Sequence, residues 1–173
     1  DMFKAQIRAI LRASAFGNVR IMFPMIVSPE EFRQAKELVE ECKKELRQEK
    51  KAFDEQIETG MMIETPASVL LAEEFAKEAD FFSIGTNDLT QYLLAVDRGN
   101  KKIASMYDFF HPAVLRAIDT VIKAGHKEGI MVGMCGEMAG NPKAVPLLLK
   151  MGLDEFSVSA ANLDYTRKII LEN

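Results

Sequence analysis

Four residues stand where an apolar run gives way to polar chain. Glu64 follows Gly60-Met61-Met62-Ile63. Asn87 and Asp88 follow Phe81-Phe82-Ser83-Ile84-Gly85. Cys135 closes Ile130-Met131-Val132-Gly133-Met134. A fifth, Arg98, lies in the loop Asp97-Arg98-Gly99-Asn100. An amide, a carboxylate and a guanidinium thus fall within the twelve residues from Asn87 to Arg98, a set suited to gripping phosphate. Carboxylates ending adjacent parallel strands about 4.8 Å apart can reach one ion. A hard cation such as Mg²⁺ is held by one or two carboxylates, with water and phosphate oxygen in its other positions. A thiol with a pKa of about 8.5 is mostly protonated at neutral pH and can give its proton to a carbanion-like carbon. Gly133 and Gly136 allow a ligand close to the backbone beside Cys135.

Each residue also has a plainer reading. Asn and Asp after a strand commonly cap the next helix through nearby N–H groups. Glu64 alone could be a solvated loop carboxylate, and Arg98 a solvated loop charge. Cys135 could be a small apolar strand residue, the usual fate of buried cysteine. Glu137 could hold a helix or turn N–H. Pairing Glu64 with Asp88 on the next strand tips those two toward a metal. Cys42 lies on an apolar helix stripe and reads as packing. His111, before Pro112, reads as a loop residue, and His126 falls near a helix C-terminus, where positive charge is favourable. Neither histidine suggests a triad. Arg20, inside a strand candidate, needs a partner, because a buried unpaired guanidinium is costly.

The elements that carry these residues alternate. An amphipathic helix with Phe3, Ile7, Ile10, Leu11 and Ser14 on one stripe ends at Gly17-Asn18. A strand over 19–24 follows. Ser28-Pro29-Glu30-Glu31 then opens a helix with Ser28 as cap and Glu31 completing a capping box. Its stripe is Phe32, Ala35, Leu38, Val39, Cys42 and Leu46. Residues 49–58 form a charged loop. The second strand, 60–64, leads through Thr65-Pro66 into a helix over 67–77. The third strand, 81–84, leads to a helix over 89–96. Pro112 opens a helix to about Lys127, with Gly129 as its cap. The fourth strand, 130–135, is followed by a helix capped at Asn141-Pro142 and stopped at Gly152. A fifth strand over 154–158 and a helix over 162–171 complete the order.

A helix followed by five strand–helix units reads as parallel α/β, with strands buried on both faces. An open doubly wound sheet and part of a (β/α)₈ barrel both fit. Glu64, Asn87, Asp88 and Cys135 all fall at C-terminal strand ends, where barrel active sites are built, and this favours the barrel.

Net charge is −4, from 22 Lys and Arg against 26 Asp and Glu, which argues against a nucleic-acid binder with a broad basic face. The apolar runs are too short to span a membrane. Two cysteines without a disulfide framework or zinc-type spacing fit a reducing cytoplasm. No Gly-rich phosphate loop with Gly-Lys-Ser/Thr is present.

Five stretches together resemble the enzyme I family of the phosphoenolpyruvate:sugar phosphotransferase system. They are IRAILRASAFGNVRIMFPMI, GMMIETPAS, DFFSIGTNDLTQYLLAVDRGN, GMCGEMAG and MGLDEFSVSA. The resemblance covers nearly the whole chain and implies the family's phosphoenolpyruvate-binding (β/α)₈ TIM barrel, with residues 1–173 supplying its C-terminal part, about five βα units. It implies Glu64 and Asp88 as Mg²⁺ ligands. Asn87, Asp88 and Arg98 are implied at phosphoenolpyruvate, and Cys135 as the proton donor that turns enolpyruvate into pyruvate.

The implied reaction moves a phosphoryl group from phosphoenolpyruvate to a protein histidine, the first step of sugar uptake phosphorylation. The implied setting is cytoplasmic, in a parent protein that is a homodimer and serves the phosphocarrier protein HPr through an N-terminal domain. Nucleic acid and membrane insertion have no part. The family's earlier strands, with further arginines, and its Thr-Ser-His segment have no counterpart here, so the chain alone is expected to be inactive. A pyruvate phosphate dikinase or phosphoenolpyruvate synthase barrel, a metal-dependent lyase of the related barrels, and a non-catalytic interaction domain are the competing readings.

Overall fold

The apolar runs pair in the order in which they occur along the chain. A computed structural model describes residues 2–173. Strands β1 (Ile21–Phe23), β2 (Thr59–Ile63), β3 (Phe81–Gly85), β4 (Met131–Cys135) and β5 (Glu155–Phe156) form one sheet in the order β1-β2-β3-β4-β5. Every pairing is parallel. A doubly wound sheet reverses its strand order at a switch point, and this sheet never does. Unbroken sequential order is the order of a (β/α) barrel.

The two faces of the sheet differ as a barrel wall requires. Ile21, Phe23, Met61, Ile63, Phe82, Ile84, Val132 and Met134 share one face and are buried. They meet Leu11 of α1 (Met2–Ser14) and Phe32, Val39 and Leu46 of α2 (Pro29–Gln48). They also meet Val69 of α3 (Pro66–Leu70), Phe75 of α4 (Ala72–Ala76), and Ile118 and Ile122 of α6 (Pro112–Lys127). Phe23, Phe32 and Phe75 stack edge to face through this layer at 6.0 and 6.3 Å. The opposite face carries Met22, Met62, Ser83, Cys135 and Glu155. Met22 is 41% exposed, Met62, Ser83 and Cys135 are half-buried, and Glu155 is exposed. The strands are therefore not buried on both faces, because five strands do not close round a barrel interior.

Two aspartates lock the register at the N-terminal rim. Asp80, just before β3, accepts the Thr59 N–H of β2 at 2.6 Å and its hydroxyl at 3.1 Å. Asp154, just before β5, accepts the Val132 N–H of β4 at 2.8 Å and meets His126 at 2.9 Å. A slip of one residue would turn every inward side chain outward, so such latches also fix which residues face the interior.

Several boundaries shift from those read in the sequence. β1 and β5 are shorter than 19–24 and 154–158. Arg20 precedes β1 half-exposed, paired with Glu58 at 2.5 Å and lying over the Phe81 ring. Its partner is a surface one, not the buried one a strand-interior guanidinium would need. The helix expected over 67–77 breaks at Leu71 (φ −105°, ψ 18°) into α3 and α4. Ser28 caps α2, but Glu31 reaches back to the Val27 N–H, one residue short of a capping box. Thr65 and Ser68 do form that reciprocal pair at α3.

His111 caps α6 through Nδ1, which accepts the Ala113 N–H. At the far end of α6 the Gly125 carbonyl takes the Ile130 N–H around Gly129 (φ +75°). α7 (Val145–Met151) starts later than expected, after a turn held by Asn141 Oδ1, and α8 (Leu163–Glu172) follows β5.

Among the described residues β1 and β5 each keep one edge without a strand partner. Such edges recruit other chains. The 19.4 kDa chain by itself is expected to self-associate in sedimentation runs. A strictly monomeric species that melts cooperatively would contradict this.

Candidate active site

Strand direction brings the ends of β2, β3 and β4 to one rim, and the chemistry-bearing residues collect there. Glu64 continues the inward alternation of Met62 from β2. It is only 6% exposed, so it is no solvated loop carboxylate. Its Oε1 accepts the Met25 N–H at 2.8 Å, and Met25 holds φ +56° in the turn after β1. The Asp88 carboxyl is the nearby acid whose charge acts on Glu64. Burial, opposed by the Met25 bond and reinforced by Asp88, pushes the Glu64 pKa above the usual carboxylate range. Gly85 makes this approach possible. A Cβ there would sit 2.9 Å from both Glu64 Cβ and Oε2.

Asn87 and Asp88 are not the cap and loop that a post-strand Asx pair suggests. α5 (Thr86–Leu94) begins at once after β3, Gly85 is its N-cap, and no side chain caps it. The first turn of α5 therefore presents uncapped N–H groups at the rim, where the positive end of a helix favours anions. Asn87 uses Oδ1 to accept the Glu137 N–H at 3.1 Å. Thr86, fully buried, donates its hydroxyl to the Cys135 carbonyl at 2.8 Å. Gly136 (φ +95°) fits between them, since a Cβ would fall 2.4 Å from Thr86 Oγ1. The end of β4 is thus stitched to the start of α5. Glu137 is exposed, and its own N–H is the group being held.

Cys135 faces the interior, half-buried, with Sγ 3.7 Å from Met62 Sδ. Burial raises its pKa; the Ser83 hydroxyl lowers it, and the charges of Glu64 and Asp88 raise it again. The thiol therefore keeps its proton at neutral pH. Arg98 stands in the loop after α5, half-exposed, with Nη2 3.8 Å from Asp88 Oδ1. At that distance and exposure the pair is loose. Arg98 is anchored through its backbone N–H to Gln91 Oε1 at 3.1 Å.

Glu64, Asp88 and Cys135 thus share one corner of the rim, with Asn87 and Arg98 bordering Asp88. Among the described residues no third His, Cys, Asp or Glu joins a metal-sized cluster. Two carboxylates alone suit an ion that leaves most positions to water and substrate oxygen. Toward β5 the rim opens into a cleft of about 320 Å³ lined by Asn87, Gly136, Glu137, Ser157, Ser159 and Asn162.

Two further residues belong to this corner. Tyr107 donates to the Asn87 carbonyl at 3.4 Å. Its phenol pKa is raised by burial, lowered by Thr90 and raised by Glu137. It arrives from the irregular segment after α5, where no periodic pattern announces it. In the sequence Ser83 reads only as part of an apolar run; its signal is a single polar residue in that strand.

Fold and rim together define part of a parallel α/β barrel, with acidic residues and a thiol at the C-terminal strand ends. Residues 1–173 match the family described as PEP-utilising enzyme, PEP-binding domain, and the chain belongs to that family. A Priestia megaterium protein named phosphoenolpyruvate-protein phosphotransferase is 58% identical over 163 residues, 94% of this chain and 28% of the relative. A Haemophilus influenzae protein of the same name is 55% identical over 170 residues, 98% of this chain and 30% of the relative. The chain spans under a third of the length of these curated relatives.

A citrate lyase from Burkholderia xenovorans superposes with TM-score 0.72 at 20% identity, covering 96% of this chain and 53% of that one. An HpcH/Hpal aldolase/citrate lyase family protein from Burkholderia cenocepacia gives 0.65 at 22%, covering 98% and 69%. At these identities the likeness concerns the fold.

Two outcomes follow from this geometry. Gly85→Ala should displace the Glu64 carboxylate and destabilise the chain by about 1–3 kcal/mol, the range for overpacking; an unchanged melting temperature would contradict this. Iodoacetamide should label Cys135 but not the fully buried Cys42. Because the Cys135 thiolate is disfavoured, the labelling rate should rise to half its plateau only above about pH 8.5. A midpoint near neutrality would contradict this.

Proposed function

We propose that this chain is the phosphoenolpyruvate-binding barrel portion of a phosphoenolpyruvate-protein phosphotransferase. The observation that carries the reading is the inward thiol of Cys135 at the same rim as the buried Glu64, in a chain 58% identical to a relative of that name. In the full-length protein the phosphoryl group leaves the enol oxygen of phosphoenolpyruvate for a protein histidine outside these residues. The P–O bond breaks, a P–N bond forms, and enolpyruvate remains.

Each rim residue has a part in this. Glu64 and Asp88 would hold Mg²⁺, which would supply positive charge against the transferring phosphate. The donor set fits such an ion: two converging carboxylates, one of them buried, with no Lys, Arg or His paired to Glu64 among the described residues. Asn87 offers its amide N–H groups and Arg98 its guanidinium to substrate oxygens, and the uncapped first turn of α5 adds its N–H groups. Asp88 borders the substrate as well as the ion. Cys135 then gives its proton to C3 of enolpyruvate, the C2=C3 electron pair forming the new C–H bond, and pyruvate leaves.

The finer setting belongs to the same proposal. The histidine passes its phosphoryl group to the phosphocarrier protein HPr as the start of sugar uptake. The full-length protein is a cytoplasmic homodimer, and residues 1–173 alone lack the acceptor and give no turnover. Among the described residues no helix is long and apolar enough to cross a membrane.

Cys135→Ala in the full-length protein should cut sustained pyruvate formation by about 10²–10⁴-fold, the worth of a general acid. Its first-turnover histidine phosphorylation should survive. Undiminished pyruvate formation would remove Cys135 from the reaction. Sustained pyruvate release by residues 1–173 alone would overturn the need for an outside acceptor.

A further inference from the structure

We propose that Met62 is a positioning residue for the protonation step, its thioether accepting the Cys135 S–H and holding that proton inside the barrel without drawing it onto the acidic pair. The inference deepens the reading above and rests on it. Cys135 Sγ donates toward Met62 Sδ at 3.7 Å, across two strand spacings. The strand between them makes this reach possible. Gly85, the register partner of Cys135, has no side chain, and a Cβ there would lie 3.0 Å from Met62 Cγ and 2.9 Å from Glu64 Oε2. Met62 and Glu64 therefore occupy the same gap above Gly85, and both are candidates for the thiol hydrogen.

The choice of acceptor matters to the chemistry. A charge-assisted bond to Glu64 would be about twice as strong as a neutral one and would hold the hydrogen more tightly. A thioether is a weak acceptor that fixes direction and costs little to leave. Ser83, paired in register with Met62, stands on the same inward face. In the transfer, the S–H bond breaks with its pair staying on Sγ, and C3–H forms from the enol π pair. Solvent then returns a proton to the thiolate, and no redox partner is required.

Pyruvate C3–H/D exchange in D₂O, followed by NMR on the full-length protein, isolates the thiol step. Rapid-quench phosphorylation from phosphoenolpyruvate isolates phosphoryl transfer. Met62→Leu keeps the bulk and removes the acceptor. It should slow exchange about tenfold, the scale of a lost alignment, and leave phosphorylation unchanged; Met62→Gln, which restores an acceptor, should recover most of the exchange. If exchange and phosphorylation fall together, or exchange does not change, the inference is wrong. If the unaltered protein shows no exchange, the reading of the site fails and this inference with it.

A check independent of any Met62 variant uses the S–H stretching band of Cys135, read as the difference between the full-length protein and its Cys135→Ser variant. It should lie below the band of a thiol in hydrocarbon solvent. A band at the unbonded position overturns the proposal.

Discussion

The structure turns on two carboxyl groups forced together at the edge of a barrel interior. Glu64 is nearly sealed from water, and the charge of Asp88, in the first turn of α5, acts on it. Like charges so placed are unfavourable unless a proton or a cation joins them. One backbone N–H, from Met25, partly compensates Glu64. The absence of a side chain at Gly85 lets the approach happen at all.

The surrounding contacts keep that corner in place. Thr86 and Asn87 each bind the backbone at the end of β4, and Gly136 allows the two segments to close. At the opposite rim Asp80 and Asp154 set which side chains of β2 and β4 look inward. The thiol gains from both. Cys135 owes its inward direction to the register, and its held proton to burial and the nearby acids.

Much of this was legible in the sequence. Apolar runs, capping residues and alternation gave the strand–helix order, and the polar residues ending those runs marked the rim. The helix boundaries were less legible. α5 starts at Thr86 because Gly85 itself serves as N-cap, whereas Asn and Asp look like caps by type. Leu71 breaks the helix after Pro66 with neither Gly nor Pro to announce it. The expectation of strands buried on both faces failed at Met22 and Glu155, since burial depends on what stands across the barrel. Tyr107 escaped notice because it reaches Asn87 from an irregular segment. The resemblance to enzyme I, carried by five ordered motifs, agrees with the family to which the chain belongs.

Convergence of the two acids on one divalent ion is the proposal most open to direct measurement. Mn²⁺ titrated into the full-length protein and followed by electron paramagnetic resonance is expected to show one ordered ion per chain. Glu64→Gln and Asp88→Asn should each abolish it, while Glu155→Gln, further down the interior, leaves it intact. Unaltered Mn²⁺ binding in both of the first two variants would show that these carboxylates do not meet on a metal.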